Sequence, residues 1–290
     1  MGPETSELVL NAGDMSGMSH RKQGGETGTR NICLTLAFDG SQYHGWQIQR
    51  NQPTIQAVVS EAIRKITGET VSLVGSGRTD AGTHARTFFA NFVTAARLSP
   101  ASLARALNGL LPRDIRVLSA RRVPLNFHSQ RSAYSKTYRY QIYRGKVMPP
   151  HLARDHYHYP YPLDLDLMCR GAKSFEGSHD FASLAAFSGR AVKDTVRWVY
   201  RSDLKKVGHR LLYTAEAEGF LHHMVRNMVG TLLELGRGRM NLDQLGNLFA
   251  SRNRDLAGFT VPAHGLVLLH VRYRTSRGQG AKGSSGKGKA

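Results

Sequence analysis

Cysteine is nearly absent from this 290-residue chain, with Cys33 and Cys169 the only two. They lack metal-ligand spacing, which excludes a zinc ribbon or cluster framework. A reduced, cytoplasmic reading is simpler than a single disulfide between them. Long apolar runs are missing as well. No stretch reaches the length of a membrane span. Residues 1–30 mix Gly, Ser, Thr and acids without the apolar centre of a secretory signal. Acidic residues are scarce, 21 against 40 Lys and Arg, for a net charge of +19. Residues 1–30 hold 3 basic and 4 acidic groups, and residues 276–290 hold 4 basic and none acidic. Nearly all of the excess therefore lies in the middle of the chain. A basic body points to a broad polyanion footprint, and argues against a small neutral substrate.

Residues 75–85 read Gly-Ser-Gly-Arg-Thr-Asp-Ala-Gly-Thr-His-Ala. Glycine permits positive φ and close approach by a ligand, and a nearby arginine favours an ionised carboxylate. The run follows the apolar stretch Val71–Val74, so it is expected to present Asp80 at the end of a strand, with Arg78 to orient it or to contact a phosphate. Two other glycine-loop readings fail. A dinucleotide fingerprint counted from Gly75 needs glycine where Asp80 stands. A P-loop counted from Gly77 needs lysine where Thr83 stands.

Elsewhere strands and helices interleave. Residues 32–38 read as a strand, and residues 54–66 as a helix with Thr54 as N-cap and Gly68 past its end. Ser99-Pro100 opens a second helix, and Asp164 begins a third. Residues 222–235 read as a fourth, carrying Arg226 on an otherwise apolar run, and Asn241 caps a fifth. Tyr138 and Tyr140 alternate with Arg139 and Gln141 as in a strand, and residues 266–274 form the last strand. On that strand, alternation puts Leu268 on one face with Leu266, His270 and Arg272. The histidine pairs His222-His223 and His156-x-His158 carry no metal site on this reading. Adjacent helical residues point about 100° apart, and no cysteine or carboxylate stands at zinc spacing.

The motif Gly77-Arg78-Thr79-Asp80-Ala81-Gly82-x-His84-Ala85 resembles the signature of the tRNA pseudouridine synthase A family. Six further blocks follow the family in order. They are Phe38-Asp39-Gly40 through Gln49, Ala106-Leu107-Asn108 through Ile115, Lys136-Thr137-Tyr138-Arg139-Tyr140, Gly177-Ser178-His179-Asp180-Phe181, Gly219-Phe220-Leu221 through Gly230, and Pro262-Ala263-His264 through Leu268. The resemblance covers about residues 31–274. It implies an α+β pseudouridine synthase fold, with two α+β lobes of mainly antiparallel sheet flanking a basic active-site cleft. The expected division is a disordered leader at 1–30, a lobe at 31–134 carrying the Asp loop, a second lobe at 135–275 and a flexible basic tail at 276–290.

The implied activity is isomerisation of uridine to pseudouridine in the tRNA anticodon stem-loop, at positions 38, 39 and 40. The implied enzyme is a cytoplasmic homodimer that works without cofactor, metal or membrane. Asp80 is the implied nucleophile. The chemistry leaves open whether it adds to the sugar, adds to the base or removes a sugar proton. By the same resemblance, Tyr138 stacks on the target base and Arg226 pairs with Asp80; Leu268, an apolar residue on an otherwise polar strand face, is read as a floor for the base pocket or as ordinary packing. Two rival readings keep a place: a non-catalytic RNA-binding protein on the same scaffold, and a nucleoside hydrolase. The chain departs from the family pattern at Thr83, at residues 128–133 and over Leu184–Arg190.

Overall fold

The computed structural model describes residues 28–186 and 194–274. Apart from residues 28–30, the expected leader lies outside the described residues, as do the expected basic tail and residues 187–190. Arg30, assigned to the leader from sequence, opens the first strand instead.

One ten-stranded sheet organises the described chain. Its strands are β1 (Arg30–Phe38), β2 (Val74–Gly75), β3 (His84–Thr94), β4 (Ile115–Val123), β5 (Ala133–Tyr143), β6 (Tyr157–His158), β7 (Gly177–Asp180), β8 (Val196–Val207), β9 (Arg210–Ala217) and β10 (Leu266–Tyr273). The order is β4-β1-β3-β10-β5-β9-β8-β7, with β2 beside β3 and β6 beside β5. Pairing is antiparallel except β10 with β3 and β5 with β6. The fold is thus α+β with a mainly antiparallel mixed sheet, and the sheet is continuous from the first strand to the last. The last strand, β10, inserts between β3 and β5 and so brings chain segments from both halves side by side.

Five helices cover the sheet: α1 (Ile55–Thr67), α2 (Pro100–Leu110), α3 (Leu165–Lys173), α4 (Met224–Gly236) and α5 (Leu242–Ser251). Their starts follow local chemistry. Thr54, Ser99, Asp164 and Asn241 each accept a backbone N–H of the first turn, and Asn241 with Gln244 completes a capping box. Gly68 ends α1 at φ +73. The apolar stripe of α1 buries Ile55, Val59 and Ile63. Helix α4 is buried nearly all round, and Gly230 lets the backbone of Phe259 pack directly on it: an added Cβ would stand 1.7 Å from that carbonyl oxygen.

Two expectations change here. Of the stretch Val71–Val74, only Val74 joins a strand, so Asp80 sits on a loop anchored at the short β2. Helix α4 begins at Met224, not at residue 222. His223 is its N-cap with φ +58, a left-handed conformation that breaks the helix just before it starts.

Candidate active site

The Asp80 loop is shaped by the segment Asp39–Gln47. Trp46 N–H donates to the Thr79 carbonyl at 3.3 Å, and Gly82 N–H donates to the Tyr43 carbonyl at 3.2 Å. Gly45 has φ +84, and a Cβ on it would stand 2.2 Å from the Thr79 oxygen. Only glycine allows the two backbones this close. Thr83 N–H returns to the Asp80 carbonyl at 3.1 Å, with Gly82 at φ +80. That is the third-position glycine a tight turn of type II requires. The turn uses the Asp80 backbone and leaves its carboxylate free, so Asp80 is not a backbone cap.

Arg226 reaches that carboxylate from the first turn of α4. Its Nη1 donates to Asp80 Oδ2 at 3.0 Å, and its Nε donates to the Val261 carbonyl at 2.8 Å. Side-chain exposure is 14% for Arg226 and 22% for Asp80. A guanidinium held at two points, facing a partly desolvated carboxylate, keeps that carboxylate aimed. The pairing expected of Arg226 is therefore present in the geometry. The orienting role expected of Arg78 is not. Arg78 is exposed and has no hydrogen bond or ion pair among the described residues. Thr79 docks onto Gly45 and Trp46, while the adjoining Arg78 is exposed.

Tyr138 lies on β5 and Leu268 lies directly opposite on β10. Both are buried. The Tyr138 ring meets Phe220 edge-on, with centroids 5.2 Å apart. Burial, and then the charge of Asp80, push the Tyr138 phenol well above the usual tyrosine value. Leu268 also pairs with Ala85 of β3, just past the Asp80 loop. It therefore bridges the strand that carries Tyr138 and the strand that follows Asp80.

The face assigned to Leu268 from sequence is corrected by a bulge. Leu268 pairs with Tyr138, but the next pairs are His270 with Thr137 and Val271 with Lys136. The extra residue flips the alternation. Leu268 shares its face with Leu266 and Val271, not with His270 and Arg272.

Two residues that sequence reasoning left without a role stand beside Asp80. His223 Nε2 lies 3.5 Å from Asp80 Oδ2, and His222 Nε2 lies 3.9 Å from Oδ1. Their rings are in contact, tilted by 33° with centroids 3.8 Å apart. The left-handed backbone of His223 brings the two rings together, which a helix would not. Burial leads a shift of the His223 imidazole below its usual value, with Asp80 opposing. The three side chains offer ligand atoms within 4.8 Å of one another. Arg226 already occupies the approach to Oδ2, however, and its charge would oppose a bound cation. The chemistry supported is an ion-paired, histidine-flanked carboxylate. The second histidine pair separates: His156 Nδ1 meets Asp155 and His158 Nε2 meets the Gly145 carbonyl.

No helix among the described residues is long and apolar enough to cross a membrane. Cys33 is buried and Cys169 exposed, each a free thiol.

The family model described as "tRNA pseudouridine synthase" matches residues 35–130 and 172–274. The chain is 41% identical over 248 residues to "tRNA pseudouridine synthase A 1" of Protochlamydia amoebophila, covering 84% of this chain and 97% of that one. It is 42% identical over 244 residues to "tRNA pseudouridine synthase A" of Caldicellulosiruptor bescii, covering 84% and 100%. It is 43% identical over 242 residues to the protein of that name in Syntrophotalea carbinolica, covering 83% and 96%. Among solved structures it matches "Crystal structure of the archaeal box H/ACA sRNP Nop10-Cbf5 complex" at a TM-score of 0.32 and 13% identity, covering 78% of this chain and 59% of that one. With Asp80 and Arg226 paired at the site, and with the family model and relatives at 41–43% identity matching most of its length, the chain belongs to the tRNA pseudouridine synthase family, enzymes that isomerise uridine.

Proposed function

We propose that this protein isomerises uridine to pseudouridine in the anticodon stem-loop of tRNA, with Asp80 as the attacking group. The observation that carries the reading is the Asp80 carboxylate held by Arg226 beside the buried Tyr138 and Leu268. The reaction breaks N1–C1′, turns the freed uracil and joins C5 to C1′. N1 gains a proton and C5 loses one, so no atom is added overall. The carboxylate stabilises or captures the electron-poor carbon as the first bond breaks. Arg226 holds it in place. Tyr138 and Leu268 supply a flat and an apolar wall for a base taken out of its stack. The net charge of +19 suits a folded RNA substrate, and Arg78 is free to meet a phosphate.

The working form is a cytoplasmic homodimer. Trp198 is 51% exposed, and Val196, Tyr200 and Tyr134 are exposed near it on β8 and β5. Exposed aromatic side chains in one region favour a covering partner. Equilibrium sedimentation tests this: a mass of twice the chain supports it, and a monomer at micromolar concentration contradicts it.

The substrate reading is tested by mapping pseudouridine in unmodified tRNA transcripts after treatment with the protein. Pseudouridine at positions 38, 39 or 40 is expected. Pseudouridine confined to other arms of the tRNA contradicts the reading.

A further inference from the structure

Lys136 lies on β5, two residues before Tyr138 and on the same face, because the two pair in register with Ala217 and Ala215 of β9. That spacing separates their backbones by about 7 Å. Its other cross-strand neighbour is Val271 of β10. The neighbours directly beside it in the sheet are therefore apolar. Above it passes the Asp80 loop: an added Cβ on Gly77 would stand 3.0 Å from Lys136 Nζ. Gly77 is three residues before Asp80, so at full extension the two are within about 10 Å.

Among the described residues, Lys136 has no hydrogen bond and no ion pair. Burial lowers its ammonium below the usual lysine value, with no carboxylate opposing the shift. An ammonium in such a place is costly unless something pairs with it. Of the neighbouring cations, Arg226 has Asp80, and Arg78 on the loop is exposed to water. Among the described residues, Lys136 combines a partly buried side chain, a position one nucleotide's reach from Tyr138 and no internal anion. The natural partner is one that arrives with the substrate. In RNA that anion is a phosphodiester.

We propose that Lys136 and the Gly77 turn form a phosphate subsite, which binds a phosphodiester flanking the target uridine and so sets the depth to which the flipped nucleotide enters beside Asp80. The inference rests on the proposed function and assigns a positioning residue within it. A lysine suits this task as a compact charge with three donors. Gly77 matters because a side chain there would press on the ammonium.

The test is a double-substitution cycle on the full chain. One change is Lys136→Met, which keeps length and removes charge, with Lys136→Arg as the conservative variant. The other is in the RNA: a tRNA transcript with a neutral methylphosphonate at the phosphodiester on either side of the target uridine. Each single change is expected to lower kcat/KM about 10- to 100-fold. At one of the two linkages the combined loss should match that of either change alone. Lys136→Arg should recover part of the loss. Lys136→Met should melt no lower than the parent, since an unpaired, partly buried charge is removed. Losses that multiply at both linkages overturn the subsite, as does a Lys136→Met chain with unchanged kinetics. Destabilisation by Lys136→Met also overturns it, because the ammonium would then have an internal structural role. Inorganic phosphate serves as a separate arm. Competition by millimolar phosphate against the parent but not against Lys136→Met places the anion at this residue, and equal competition against both counts against it. Failure of the parent protein to modify the unaltered transcript would bring down the proposed function itself, and is read separately.

Discussion

Arg226 Nη1 stands 3.0 Å from Asp80 Oδ2, although the two residues are 146 positions apart in the chain. The same guanidinium is tied to the Val261 carbonyl, so the pair is fixed from both sides. The loop that carries Asp80 is fixed in turn by Trp46 and Tyr43. A carboxylate that is to act on a substrate needs its direction set before the substrate arrives, and three separate chain segments set that of Asp80.

Replacing Arg226 by Lys keeps the charge but cannot hold Asp80 and the Val261 carbonyl together. Turnover should fall roughly 100-fold, with tRNA affinity within a few-fold of the parent. Arg226→Met should lose more. Single-turnover rates and filter-binding measurements separate the two effects. Unchanged turnover in Arg226→Lys would mean that Asp80 needs no orientation from Arg226.

Gly45 is a structural position for the same loop. An alanine would have to take φ +84 and place its Cβ on the Thr79 oxygen. Gly45→Ala should cost about 2 kcal/mol or more in urea unfolding. Turnover should drop as well, because Thr79 adjoins Asp80. An unfolding midpoint equal to that of the parent would contradict this packing.

The raised Tyr138 phenol has a kinetic consequence. It stays neutral at neutral pH and beyond the usual tyrosine value of about 10, so no standing phenolate serves as base. The profile of kcat against pH should show no rise centred at or below about 10 that Tyr138→Phe removes. Such a rise would contradict the assignment.

His223 gives a pH dependence of stability. Its folded value lies below the unfolded imidazole value of about 6.5, chiefly through burial. The fold therefore favours neutral His223. Its full contribution is present above about 6.5 and is lost as pH falls through and below that value. His223→Gln should flatten this part of the stability curve between pH 7 and 5. An unaltered slope would show that the imidazole is not the titrating group.

Much of this was legible in the sequence because local chemistry dictated it. Thr54, Ser99, Asp164 and Asn241 cap helices where a short polar side chain precedes an apolar stripe. The blocks around Asp80, Tyr138 and Arg226 pointed to a site through their resemblance to the family's motifs; taken alone, a strand tyrosine reads as core. The misreadings have non-local causes. Arg78 is close to Asp80 in sequence, yet it is exposed and makes no hydrogen bond or ion pair with that carboxylate, while the adjoining Thr79 packs on Gly45 and Trp46, far upstream. The face of Leu268 depends on a bulge against β5, and a strand's own alternation does not reveal a partner's register. His222 and His223 continue the helical pattern on paper. The left-handed backbone at His223 interrupts that pattern just before Met224. Lys136 looked like one more basic residue until its neighbours in the sheet were known.

The decisive measurement follows tritium from uracil C5 in an unmodified tRNA transcript. Forming the C5–C1′ bond releases that tritium to water. The parent protein should release it in step with pseudouridine formation, and Asp80→Asn should release none while still binding the transcript. Release by Asp80→Asn at the parent rate would remove Asp80 from the chemistry and reduce its pairing with Arg226 to a structural ion pair.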